Sequence, residues 1–179
     1  MKRHLLLFFL IGSVYAFGQG RTEESQSVNL EILGLQYNYE KPLSEKFTVN
    51  YHGGLAGALG YSYASYGWYE EEKWRYSMRG VVGADFRFYY NLAKREAKGK
   101  STRRNSGNFW AVDLQYYSPT IINKGFNDSY IVFATPYWGI RRVYSNHWLF
   151  ELNLGYAVGF DRHDFVGGVV TNIKFGYSF

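Results

Sequence analysis

Nine charged residues stand where a period-two pattern puts them on the polar side of otherwise apolar segments. They are Arg75, Arg79, Arg87, Arg141 and Lys174, set against Glu40, Asp85, Asp113 and Glu151. Confined to a narrow interior, such groups must pair, because an unpaired desolvated charge costs several kcal/mol. His52 falls on the same side and is read as a hydrogen-bonded member of the set rather than as a base. The chemistry expected of these ten residues is mutual ion pairing that fills a lumen.

No other grouping promises catalysis or a bound group. The chain has no cysteine, which excludes disulfides, thiolate metal or redox sites and a lipoprotein anchor. His163 lies in Asp161-Arg162-His163-Asp164 and reads as part of a solvated loop, not a metal site. Gly53, Gly54, Gly57 and Gly60 precede neither a helix nor a lysine, so they do not form a phosphate loop. Neither a cofactor nor a metal is expected.

The elements that must position the charges are strands. Phe47, Val49, Tyr51, Leu55, Leu59 and Tyr61 share one face, and Asn50, His52, Gly54 and Ala58 the other. The same alternation marks strands at about 33–40, 47–63, 74–91, 108–118, 128–143, 148–160 and 166–179. A short alternating piece, Val28 to Ile32, makes an eighth, although no turn chemistry separates it from the next. Pairing Ser62 with Arg75 across a loop at 64–73 sets His52 opposite Asp85. A three-residue turn at 145–147 sets Arg141 opposite Glu151. Pro136 falls inside a strand on the apolar side and is read as marking a bulge.

Three features favour a bilayer over a soluble sandwich. Strands of 14 to 18 residues exceed the roughly 5–6 of soluble sheets. Aromatic residues end the apolar faces while aliphatic ones hold the middle: Phe47 and Tyr61 flank Leu55, and Trp148 and Phe160 flank Leu154. The opposite faces carry full charges. The fold class expected is all-β, a closed antiparallel transmembrane β-barrel of eight strands. Ahead of it, Lys2 and Arg3 precede an apolar run from Leu5 to Val14, too short for a membrane helix of about 20 residues. Residues 1–18 therefore read as a signal peptide cleaved after Ala16 or Gly18, leaving the barrel at 19–179. Losing Lys2 and Arg3 lowers the formal charge from +5 to about +3, which gives no reason to expect nucleic acid.

Phe175, Tyr177 and Phe179 resemble the C-terminal assembly signal of outer-membrane proteins, alternating aromatics that end in Phe. In size and pattern the chain resembles the small OmpX/OmpA-type barrels of Gram-negative outer membranes. The segment Phe86-Arg87-Phe88-Tyr89-Tyr90-Asn91-Leu92 is similar to uncharacterised barrels of this type. The resemblance implies an outer-membrane location, insertion by the barrel-assembly machinery, contact with lipids and lipopolysaccharide, and a monomer. No peptidoglycan-binding domain is expected after Phe179.

With the C-terminus in the periplasm, outer loops fall at 64–73, 118–127 and 161–165. The first holds Trp68, Tyr69, Glu70, Glu71 and Glu72, a candidate surface-binding loop whose plainer reading is an extended interfacial girdle. Inner turns fall at 41–46, 93–107 and 145–147. The basic 93–107 segment reads as a flexible solvated turn or as a contact for anionic headgroups or a periplasmic polymer. His147, Ser145 and Glu151 are distantly similar to the His/Ser/Glu set of lipid A deacylases, but on the periplasmic side. The function expected is a structural or surface-interaction barrel without catalysis. The alternatives are a narrow solute channel and a lipid-modifying enzyme.

Overall fold

The period-two segments form eight antiparallel strands, each hydrogen-bonded to the next. They are β1 (Ser25–Glu31), β2 (Gly34–Pro42), β3 (Phe47–Tyr66), β4 (Tyr69–Tyr89), β5 (Asn108–Lys124), β6 (Ile131–Tyr144), β7 (Trp148–Phe160) and β8 (Phe165–Ser178). A helical turn, α1 (Leu92–Glu96), and a 3-10 turn (Arg103–Asn105) lie between β4 and β5. β1 also pairs with β8, from Ser27↔Ser178 to Glu31↔Lys174, so the sheet closes into a ring without a free edge. This computed structural model describes residues 22–66, 69–125, 129–162 and 164–179, the stretches 62–66 and 69–72 by backbone alone. The segment read as a signal peptide, together with Trp68 and His163, lies outside the described residues.

Side chains sort by parity, and they sort in the opposite sense to a water-soluble protein. Leu30, Leu35, Leu59, Trp74, Val82, Trp110, Leu114, Leu154 and Phe175 are exposed on the outside. Asn29, Gln36, Asn38, Glu40, Thr48, Asn50, Asp85, Arg87, Arg141 and Glu151 are buried inside. No helix among the described residues is long and apolar enough to cross a membrane.

The β3–β4 register departs from the sequence expectation by two residues. His52 pairs with Gly83, Asn50 with Asp85, and Gly60 with Arg75. The reason is the length of the hairpin, whose ladder continues to Tyr66↔Tyr69. Where a loop was expected at 64–73, backbone hydrogen bonding carries the two strands on as far as Tyr66 and Tyr69. An even slip leaves every side chain on its own face, so the inside–outside assignment survives. β5 likewise continues to Lys124, through part of the loop expected at 118–127. The short eighth strand is β1, which starts at Ser25, ahead of the expected Val28.

Pro136 does not mark a bulge. Val112↔Pro136 lies in regular register with β5, and the β6–β7 register is the same on either side of it. The register shifts lie instead between β4 and β5, where Met78, Arg79 and Val81 pair with Ile122, Thr120 and Tyr117. Pro119 sits there, and the Gly80 amide donates to Ser118 Oγ at 3.0 Å rather than to a ladder carbonyl.

The basic connection from β4 to β5 is an ordered cap, not a flexible turn. Leu92 of α1 packs with Tyr89, Phe109, Ala111 and Tyr137 in an apolar cluster inside the ring. Arg104 and Asn105 take positive φ values of 49° and 62°, a conformation that asparagine tolerates better than most residues. That bend buries Asn105, whose Oδ1 accepts from the Glu23 amide at 2.7 Å while its Nδ2 donates to the Glu23 carbonyl at 2.8 Å. Arg103 reaches Asn146 in the β6–β7 turn at 2.6 Å, and Arg104 donates to the Ser178 carbonyl. The segment thereby ties the N-terminal residues, the C-terminal strand and a neighbouring turn together across this end of the ring.

Candidate functional site

The inward charges gather at one level of the interior. β4 carries Asp85 and Arg87 two residues apart, on one face of the strand. Arg87 donates through Nε and Nη2 to Asp85, the second bond at 3.2 Å, and through Nη1 to Glu151 Oε2 of β7 at 3.1 Å. Arg141 of β6 donates from Nε to the same Glu151 oxygen at 2.8 Å, and from Nη1 to Glu40 of β2. β2 and β6 lie on opposite walls of the eight-strand ring, so this last pair spans the interior. The Arg87 guanidinium also lies 4.7 Å from the centre of the Phe109 ring, a cation–π contact.

Neutral groups complete the carboxylates' hydrogen bonding. Glu40 Oε1 accepts from Thr48 Oγ1 at 2.6 Å and from Tyr89 OH at 2.9 Å. Asn50 Nδ2 donates to Asp85 Oδ2 at 2.9 Å, and Asn153 Nδ2 to Glu151 Oε1 at 2.9 Å. Buried ion pairs recover their desolvation cost only when the remaining lone pairs are satisfied in this way. Below them, Tyr89 and Phe109 pack with ring centres 5.0 Å apart and Phe109 meets Tyr137 edge-on at 5.8 Å, an aromatic floor over α1.

Of the ten residues expected in the lumen, Glu40, Asp85, Arg87, Arg141 and Glu151 form this network. Asp113, His52 and Lys174 form two satellites. Asp113 pairs across the ladder with Asp85, and its Oδ1 is 3.0 Å from His52 Nε2. Lys174 lies 3.0 Å from Glu31 Oε1 and 3.5 Å from Gln36 Oε1. Arg75 is exposed and Arg79 half-buried, with its Nη1 on the Ser129 carbonyl, so both stand apart toward the hairpin end of β4. Register places His52 beside Asp113 rather than opposite Asp85, but Gly83 leaves the gap its ring occupies. Thr48, Asn50 and Asn153 fall on the polar faces but were not read as members of the network, because a neutral polar residue inside a ring looks like a solvated one; Glu31 and Tyr89 were not assigned to it at all.

His52, Asp85 and Asp113 hold possible ligand atoms within 4.8 Å of one another. Asp85 already engages both oxygens with Arg87 and Asn50, and a guanidinium in contact with a ligand carboxylate disfavours a metal cation. The His147, Ser145 and Glu151 set is not brought together. His147 Nδ1 contacts the Ser178 carbonyl at 3.1 Å and its ring stacks on Tyr177, while Glu151 is buried in the network. Phe175, Tyr177 and Phe179 are exposed on the outer face of the last strand and beyond. Tyr69, Glu70, Glu71 and Glu72 belong to the β4 backbone ladder.

On the hairpin side of the network the interior opens into a cavity of about 240 Å³. Asp113, Tyr137, Asn153 and Lys174 form its base, and Gln115, Tyr117, Phe133 and Asn172 stand on its walls. Small residues turned inward leave this room: Gly155 and Ala157 on β7, with Gly168 of β8 paired to Ala157.

These features define an all-β protein whose eight antiparallel strands close into a ring around buried ion pairs. Compared with known proteins, the chain matches no family model, no curated protein and no solved structure.

Proposed function

We propose that this chain is an integral outer-membrane β-barrel of the OmpX/OmpA type, with a lumen sealed by charge pairs, serving a structural or surface-interaction role without catalysis. The observation that carries the reading is the inverted surface, with large apolar and aromatic side chains outside and ionised ones within. Soluble monomers rarely expose contiguous apolar patches beyond a few hundred Å², whereas a band of such residues all around a closed sheet suits lipid. Trp110, Trp148, Tyr177 and Phe179 toward the capped end supply one aromatic girdle, and Tyr61 and Trp74 toward the hairpin end supply the other.

The partners of this reading are outer-membrane lipids, lipopolysaccharide and the barrel-assembly machinery, with the barrel a monomer. The capped end faces the periplasm, and the β3–β4 hairpin, 20 and 21 residues a side, stands out of a bilayer that needs only about 9–11 tilted residues per strand. Residues 1–18 act as the export signal.

Expression of the full chain in a Gram-negative host is expected to place it in the outer-membrane fraction. Its band there shifts on a denaturing gel when the sample is boiled. A periplasmic, soluble protein with no shift would overturn the reading. The channel alternative separates in planar bilayers: the sealed lumen gives no conductance steps, and reproducible steps would favour a narrow pore.

A further inference from the structure

We propose that the outer wall at the capped end holds one anionic phospholipid, its phosphate on Arg142 and Arg95 and an acyl chain in the groove over Pro136. The inference rests on the membrane reading and adds to it a lipid class and a position on the wall.

Charge is the first ground. The connection from β4 to β5 carries Lys94, Arg95, Lys98, Lys100, Arg103 and Arg104 against Glu96 alone. It is held in place by Leu92 and Asn105, so these cations stay at this end of the ring. Basic residues clustered beside a bilayer attract anionic lipid.

Arg142 gives the phosphate a place. It follows the inward Arg141 on β6 and therefore stands on the outer face. Its Nη1 donates to the Gly107 and Arg141 carbonyls at 3.0 and 2.6 Å, and its Nη2 to Asn108 Oδ1 at 2.7 Å. These neutral acceptors orient the guanidinium without neutralising it, and they leave the Nε proton and one on Nη2 for an outside acceptor. The titratable groups acting on Arg142 are Arg95, Tyr144 and Tyr90, with no carboxylate among them. Asn91 brings Arg95 there: its carbonyl accepts from the Arg95 amide at 3.0 Å, and its Oδ1 from the Asn108 amide at 2.8 Å. Two neighbouring guanidinia repel, and a phosphate bound by both relieves that repulsion.

The groove supplies the apolar half. Phe88, Trp110 and Trp138 form one row across β4, β5 and β6, and Trp138 Nε1 donates to Tyr90 OH at 2.9 Å. From that row an apolar groove of about 690 Å³ runs over Pro136, between Val112, Leu154 and Tyr156. The Arg142 guanidinium lies beside Asn108, which pairs with Ile140, two residues or about 7 Å of strand from the row. A glycerol backbone bridges that span. The groove alone suits any chain and the cations alone any phosphate; together they select a lipid with both. The capped end faces the periplasm in the membrane reading, so the occupant is a phospholipid of that leaflet.

The test refolds the full chain, with Trp138 as its sole tryptophan, into phosphatidylcholine vesicles holding a minor fraction of brominated lipid. Brominated phosphatidylglycerol and brominated phosphatidylcholine with the same chains are compared by their quenching of Trp138. The expected result is an association about fivefold stronger for phosphatidylglycerol. In about 1 M salt, where the screening length falls to about 3 Å, the preference is expected to vanish. Arg142→Gln is expected to bring the ratio to about one, Arg142→Lys to keep part of it, and Arg162→Gln, beyond β7 at the hairpin end, to leave it unchanged. Equal quenching by the two lipids in protein that inserts and shifts on boiling would overturn the proposal. So would an equal loss of preference in the Lys98→Gln, Lys100→Gln double variant, which would mean diffuse attraction to the whole cap. Binding to isolated peptidoglycan in place of the lipid preference would overturn it in favour of a polymer. Failure of the membrane reading looks different: the protein then enters neither kind of vesicle.

Discussion

Replacing Arg87 with methionine is expected to lower the unfolding free energy by about 3–5 kcal/mol, read as a lower denaturant midpoint of the refolded protein. The fully buried guanidinium contacts Asp85 and Glu151 and lies 3.7 Å from Glu40. Its loss leaves Asp85 without a guanidinium and Glu40 and Glu151 with Arg141 alone. The cost is therefore that of stranded charge more than of the hydrogen bonds themselves. Removing the charge surplus as well, with Arg87→Met, Asp85→Asn and Glu151→Gln together, is expected to cost less than the sum of the separate changes, because the three groups act as one network. Arg75→Met is the contrast: that side chain is exposed, and exposed ion pairs contribute about 0–1 kcal/mol. An Arg87→Met effect no larger than the Arg75 one would mean that water reaches the network and that the lumen is not sealed.

Leu154→Arg carries the second large effect, about 2–4 kcal/mol of destabilisation if the residue lies near a bilayer midplane. Leu154 is 53 % exposed and pairs with Trp138 and Thr171 in the middle of β7. On a water-facing surface the same change would stay within about ±0.5 kcal/mol. At Leu43, in the turn after β2, an arginine is expected to cost only about 0–1 kcal/mol, as at any interfacial position. Depth dependence is the informative part. Equal, near-zero effects at Leu154 and Leu43 would place both in water.

What the sequence disclosed and what it hid follow one physical line. Side-chain parity was legible because its period is two and each strand repeats it, so Glu40, Asp85, Arg87, Arg141 and Glu151 could be placed inside without knowing any pairing. The Arg141↔Glu151 register was legible too, since Ser145 and Asn146 take positive φ in the short turn beside it. The β3–β4 register was not. A stretch rich in glutamates looks like a loop, yet the backbone ladder runs through it to Tyr66↔Tyr69, and main-chain hydrogen bonds need no apolar side chain. Placing the turn at the wrong length moved His52 from Gly83 to Asp85. The order of the basic 93–107 segment was also hidden, because it rests on contacts such as Asn105 with Glu23, 82 residues apart in sequence. Pro136 misled for a related reason. Its missing donor interrupts the ladder toward β7 without inserting a residue, whereas the register shifts gather near Pro119, where Ser118 supplies a substitute acceptor.

The central claim is that the outer face of this ring meets lipid. It is tested most directly by refolding the full chain into vesicles, with Trp110 kept as the sole tryptophan, and measuring its quenching by lipids brominated at known depths. Trp110 is 58 % exposed on the outer face of β5, near the capped end. Strong quenching by shallow bromines, weaker quenching by deep ones and little by an aqueous quencher is the expected result. Full access to the aqueous quencher with no response to brominated lipid would contradict it, and the aromatic exterior would then belong to a soluble protein or to a protein–protein interface.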